Sequence, residues 1–86
     1  MYLLEKDEQC KREIRKLTSK NKALSDALAA KLNQILENPY HFKPLSNVLA
    51  GSRHVHVMRH FVLIYDIDEN GKKVLLRRFS HHDEAY

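Results

Sequence analysis

The chain has 86 residues, with 15 Lys and Arg against 11 Asp and Glu, a formal charge of +4 with its six histidines neutral, and a sequence pI near 9.3. That length supports one core and buries only about 60% of the surface the unfolded chain exposes, while 43% hydrophobic and 30% charged residues exclude an intrinsically disordered class. No apolar run nears the roughly 20 residues of a membrane span, the first residues lack a signal-peptide pattern, and the single Cys10 offers neither an internal disulfide nor a thiolate zinc site.

A single domain over residues 1–86, cytoplasmic and with Cys10 as a small core residue, is therefore expected. The basic balance favours a polyanionic partner, either nucleic acid or an acidic protein covering the same surface. Six histidines in so short a chain add acid–base chemistry, metal binding and RNA contact to the candidate roles.

Tyr2 to Leu4 is a short apolar start, long enough for a brief edge strand, and Asp7 then caps a helix whose first turn carries Glu8. Cys10, Ile14 and Leu17 recur at helical spacing as one narrow apolar stripe, with Lys11, Arg12, Arg15 and Lys16 around the remainder. Thr18 to Asn21 reads as the turn of a helical hairpin. A second helix starts near Lys22, with Leu24, Leu28, Leu32 and Ile35 or Leu36 on its inner side, and Asn38-Pro39 stops it because the residue before proline is pushed out of the helical region. Tyr40 to Leu49 carries no pattern and reads as a loop.

From Gly51 the period changes to two. Arg53, Val55 and Val57 alternate with His54, His56 and Met58; Phe61 to Asp66 is a continuous apolar strand; Asp68 to Gly71 supplies a hairpin turn into Lys73 to Ser80. A short N-terminal strand, a two-helix hairpin and an antiparallel sheet of three further strands make an α+β fold with the helices on one face.

The chemistry concentrates at the C-terminal end, where an apolar run hands over to Arg77, Arg78, His81, His82 and Tyr86. Along a straight strand Arg78 and His82 share a side with Val74 and Leu76, and Arg77 and His81 point the other way. His54 and His56 share a face of the preceding hairpin arm, which antiparallel pairing can bring near the tail. This set suits metal-free RNA cleavage: a base takes the 2′-hydroxyl proton, an acid protonates the leaving 5′-oxygen, and a cation holds the charge growing on phosphorus. Histidine serves the first two roles with an unperturbed pKa near 6.5, and arginine the third through its fixed fork of donors. No cofactor is called for, and a metal site built on His54-x-His56 with His81 or His82 and Asp83 lacks a second spaced ligand pair.

The layout from Pro44-Leu45, through Leu49-Ala50-Gly51-Ser52-Arg53-His54-Val55-His56 and Phe61-Val62-Leu63-Ile64-Tyr65, to Arg78 and His82-Asp83-Glu84-Ala85-Tyr86 resembles the RelE/ParE toxin superfamily, in particular its YafQ-type mRNA interferases. The resemblance implies a RelE-like fold and a ribosome-dependent endoribonuclease that cuts mRNA in the decoding site and is restrained by a cognate antitoxin. It implies a catalytic set of His56, Arg78, His82 and Tyr86, the last in place of the usual terminal phenylalanine. Lys43, where the branch commonly has a histidine, joins Arg53, Arg59, His60 and Phe61 as candidate substrate-binding residues, with His60 at the position of an acid and Phe61 at that of a tryptophan. Two other outcomes fit the same superfamily: a ParE-like poison of DNA gyrase without enzymatic activity, and a decayed member acting only as corepressor with its antitoxin.

Overall fold

A computed structural model of the chain describes residues 1–42 and 52–82. The elements follow in the order β1 (Leu3–Lys6), α1 (Glu8–Thr18), α2 (Lys22–Glu37), β2 (Ser52–Val57), β3 (Phe61–Asp68) and β4 (Lys73–His81), which is the expected strand, two helices and three strands. β2, β3 and β4 form an antiparallel meander, and β1 adds to its far side parallel to β4, giving one four-stranded sheet ordered β1-β4-β3-β2. Its place at the end of that order makes β1 an edge strand, as its brevity suggests. No helix among the described residues is long and apolar enough to cross a membrane.

Each helix forms where its apolar stripe can be buried. Asp7 sits at the N-cap of α1 without a side-chain capping bond, and its carboxylate lies instead 3.7 Å from Arg77 Nε. Asn21 caps α2 through its side-chain oxygen, which accepts from Leu24 N–H at 3.0 Å. Cys10 of α1 and Leu24, Leu28 and Ile35 of α2 pack with Val55, Val57, Leu63, Tyr65, Val74, Leu76 and Phe79 of the sheet, while Ile14, Leu17, Leu32 and Leu36 close the margin. Of the two candidates at the end of α2, Ile35 is the buried one. Cys10 is 0% exposed, and burial pushes its thiol up to about 12, so it is a neutral core group.

The second turn of the meander runs past the expected Asp68–Gly71. Lys72 takes the left-handed conformation at φ 51°, and Gly71 allows the Asp68 carboxylate to fold back, since a Cβ there would stand 2.8 Å from Asp68 Oδ2. Beyond this turn β4 does not run straight. Ile64 pairs with Arg78 but Tyr65 pairs with Leu76, so Arg77 is an extra residue, a β-bulge that reverses the alternation of everything after it. Val74 and Leu76 face the helices, yet so does Phe79. The expectation that Arg78 and His82 share a side with Val74 and Leu76 is thereby corrected: the bulge turns Arg78, Ser80 and His82 to the face opposite the helices.

Candidate functional site

The face away from the helices is built in rows across three strands. Pairing of β2 with β3 and of β3 with β4 aligns His54, Ile64 and Arg78 in one row and His56, Val62 and Ser80 in the next. Val62 and Ile64 are buried although they lie outside the helix-facing core, and form an apolar floor between histidines on one flank and Arg78 and Ser80 on the other. His54 and His56 stand two residues apart on β2, so their rings fall on the same side with centroids 6.1 Å apart.

His82 follows the end of β4, where its backbone N–H donates to the His60 carbonyl at 2.6 Å and fixes the exit of the chain from the sheet. Its ring stacks on His56, with centroids 5.1 Å apart and planes 29° from parallel. Imidazoles carry their nitrogens at the ring edges, so two rings set side by side can address two different oxygens of one ligand. Arg78 reaches the same face from the row beside them, and its Nε donates to Glu13 Oε2 of α1 at 2.9 Å. Ser80, between Arg78 and His82 in the alternation, is buried, and its Oγ has no hydrogen-bond partner among the described residues.

Other candidates lie elsewhere. Arg53 faces the helix side, where its Nη1 donates to the carbonyls of Phe42 at 2.8 Å and Tyr40 at 3.3 Å and its guanidinium covers the Tyr40 ring. Phe61 also turns to the helix side and stacks on Phe79 at 5.9 Å, partly buried against the core. Arg59 and His60 are exposed on the turn between β2 and β3, and the His60 ring lies parallel to His81 at 5.8 Å. Lys43 and Tyr86 lie outside the described residues. Arg77 binds Asp7 and Asp66 at 3.7 and 3.8 Å, and Ser52 donates to Asp66, around a cleft of about 290 Å³ beside Arg78. Among the described residues no group of three His, Cys, Asp or Glu side chains could hold a metal ion.

Sequence reasoning missed two members of this arrangement. Ser80 was available from its place between Arg78 and His82 in the period-two pattern, whereas Glu13 on the first helix carries no local signal.

The model of the family described as ParE toxin of type II toxin-antitoxin system, parDE, matches residues 4–86. The chain belongs to this toxin family. A relative in Methanosarcina mazei, described as an uncharacterized protein, is 37% identical over 86 residues and is matched along the whole of both chains. The putative toxin RelE4 of Methanocaldococcus jannaschii is 35% identical over 86 residues, covering all of this chain and 92% of that one. In the solved E. coli DinJ-YafQ toxin-antitoxin complex, one chain superposes with a TM-score of 0.78 at 22% identity, over 99% of this toxin and 97% of that chain. The resemblance to the RelE/ParE superfamily is thus borne out, and the strand–helix–helix–sheet order of this toxin is that of RelE-like folds.

Proposed function

We propose that this toxin is a ribosome-dependent endoribonuclease that cuts mRNA in the decoding site and is held inactive by a cognate antitoxin. The observation that carries the reading is the His56–His82 stack on the same sheet face as Arg78. Two imidazoles beside a guanidinium supply the three groups that metal-free cleavage needs.

In this mechanism one imidazole accepts the 2′-hydroxyl proton as the 2′-oxygen bonds to phosphorus. The other donates a proton to the 5′-oxygen as its bond to phosphorus breaks, leaving a 2′,3′-cyclic phosphate and a free 5′-hydroxyl. Arg78, with Lys43, steadies the charge on the phosphoryl oxygens, and Tyr86 stacks on a base at the same site. The exposed basic residues of α1, Lys11, Arg12, Arg15 and Lys16, supply a surface that can track an RNA backbone. A domain of this size borrows the positioning of its substrate from the ribosome. The antitoxin partner is supported by the family description and by the toxin-antitoxin complex among the structural matches.

Wild-type toxin added to ribosomes halted on a defined message produces a single set of cuts in the decoding site, and His82→Ala reduces their rate by about 10²-fold or more. Cleavage by His82→Ala at the wild-type rate overturns the assignment. The match to the ParE toxin model favours one second reading, a non-enzymatic poison of DNA gyrase. DNA damage in cells whose messages stay intact would establish that reading instead.

A further inference from the structure

The outer edge of β4, just past the bulge at Arg77, has a structural need of its own. β1 stops at Lys6, and its last bond to β4 runs from Asp7 N–H to the Leu76 carbonyl at 2.9 Å. Beyond that point the edge of β4 continues for several residues with no neighbouring strand among the described residues to receive its N–H groups. A half-sheltered N–H without an acceptor is costly, and something in the tertiary structure has to supply one.

Glu13 does so from α1. Its Oε1 accepts the Phe79 backbone N–H at 2.8 Å, and its Oε2 accepts Arg78 Nε at 2.9 Å. The Glu13 side chain is only 19% exposed, whereas the Arg78 side chain is 45% exposed, so the clamp lies on the protein side of the pair and the guanidinium extends outward from it. One carboxylate thereby grips the side chain of the first residue after the bulge and the backbone N–H of the second. Neighbouring Arg77 is held differently: its two carboxylate partners are 3.7 and 3.8 Å away.

We propose that Glu13 is a positioning residue for Arg78, fixing the guanidinium by its Nε edge so that the Nη1–Nη2 edge is presented to an RNA phosphate. The consequence for cleavage rests on the nuclease reading above, whereas the consequence for Arg78 itself does not. A guanidinium is a planar fork whose two Nη donors match the spacing of phosphoryl oxygens, and its value to a reaction depends on that plane being set before the substrate arrives. A carboxylate on the opposite edge sets the plane without occupying the fork.

The test has two arms on the full chain. In single-turnover cleavage of ribosome-bound message, Glu13→Ala lowers the maximal rate about tenfold, with the half-saturating toxin concentration unchanged within about twofold. Glu13→Gln, which keeps an acceptor for Phe79 N–H, recovers part of the loss. In an Arg78→Ala background Glu13→Ala causes no further loss, because the two act as one unit. Equal losses in both backgrounds, or a faster reaction without Glu13, overturn the proposal. In the second arm, the Arg78 Nε–H proton is followed by NMR, where Glu13→Ala or Glu13→Gln speeds its exchange with water. Unchanged exchange overturns the proposal whatever the toxin cleaves. Faster exchange in a protein whose wild type cuts no message leaves the clamp standing and removes the nuclease reading.

Discussion

The Tyr65 hydroxyl donates a 2.6 Å hydrogen bond to the carbonyl of Pro39, joining the centre of the sheet to the chain just after α2. Both residues are fully buried, and burial pushes the Tyr65 phenol up to about 12, so it stays a neutral donor throughout the physiological range. The hydroxyl can lie inside the protein because Pro39 brings an acceptor to it. Tyr65→Phe keeps the ring and strands the carbonyl, and is expected to lower stability by about 1–3 kcal/mol. Urea unfolding reads this as a lower midpoint with an unchanged slope.

The cluster at Glu69 predicts a dependence on pH. Its carboxylate accepts from Lys72 Nζ, from the Tyr40 hydroxyl at 2.5 Å and from the Tyr2 hydroxyl at 2.7 Å, tying the N-terminus and the end of α2 to the turn before β4. These bonds, that from Lys72 foremost, lower its pKa from 4.5 to about 2. Because the folded state favours the ionised form, this stabilisation is complete above about pH 4.5 and disappears as the pH falls towards 2. Melting temperatures of wild type and Glu69→Gln are expected to differ most near neutrality and to converge by pH 2. The cluster is open to water, so the difference shrinks in 1 M salt.

Cys10 is expected to be inert in the folded toxin. A thiol with no exposed surface and a pKa near 12 presents almost no thiolate at pH 8. Intact mass after iodoacetamide treatment should show no adduct on the native protein and one adduct in guanidinium. Stoichiometric labelling of the folded chain would contradict the burial described.

Arg77 and Arg78 are expected to part company on mutation. Arg77 sits among exposed carboxylates, and Arg77→Ala changes stability by less than about 1 kcal/mol and cleavage by no more than about threefold. Arg78→Ala removes the cation proposed to steady the phosphate and is expected to slow cleavage by about 10²-fold. Parallel rate and denaturation measurements on the two variants check the difference, and similar losses from both would show that the bulge does not separate their roles.

Much of this arrangement was legible in the order of residues. The i, i+4 spacing of Leu24 and Leu28 and the stop at Asn38-Pro39 place α2, and the alternation of His54 and His56 against Val55 and Val57 puts two imidazoles on one face of β2. Arg53 and Phe61 were not legible in the same way. Each stands next to site residues in the chain, but alternation carries both to the helix side, where carbonyls and the Phe79 ring engage them.

By itself the sequence determined which segments become helices and strands, which residues are apolar enough to form the core, and that imidazoles and arginines gather at the end of the last strand. Those properties follow from local periodicity and composition, which each segment carries with it. Only the tertiary structure decided that β1 pairs in parallel with β4, that Arg77 bulges out, and that Arg78 and His82 consequently leave the core side to meet His56. A bulge is a mismatch between two strands, and the Phe79 N–H on the edge of β4 beyond the end of β1 is satisfied by Glu13, 66 positions earlier. Such hydrogen-bond accounting between distant segments has no counterpart in the local pattern of either one.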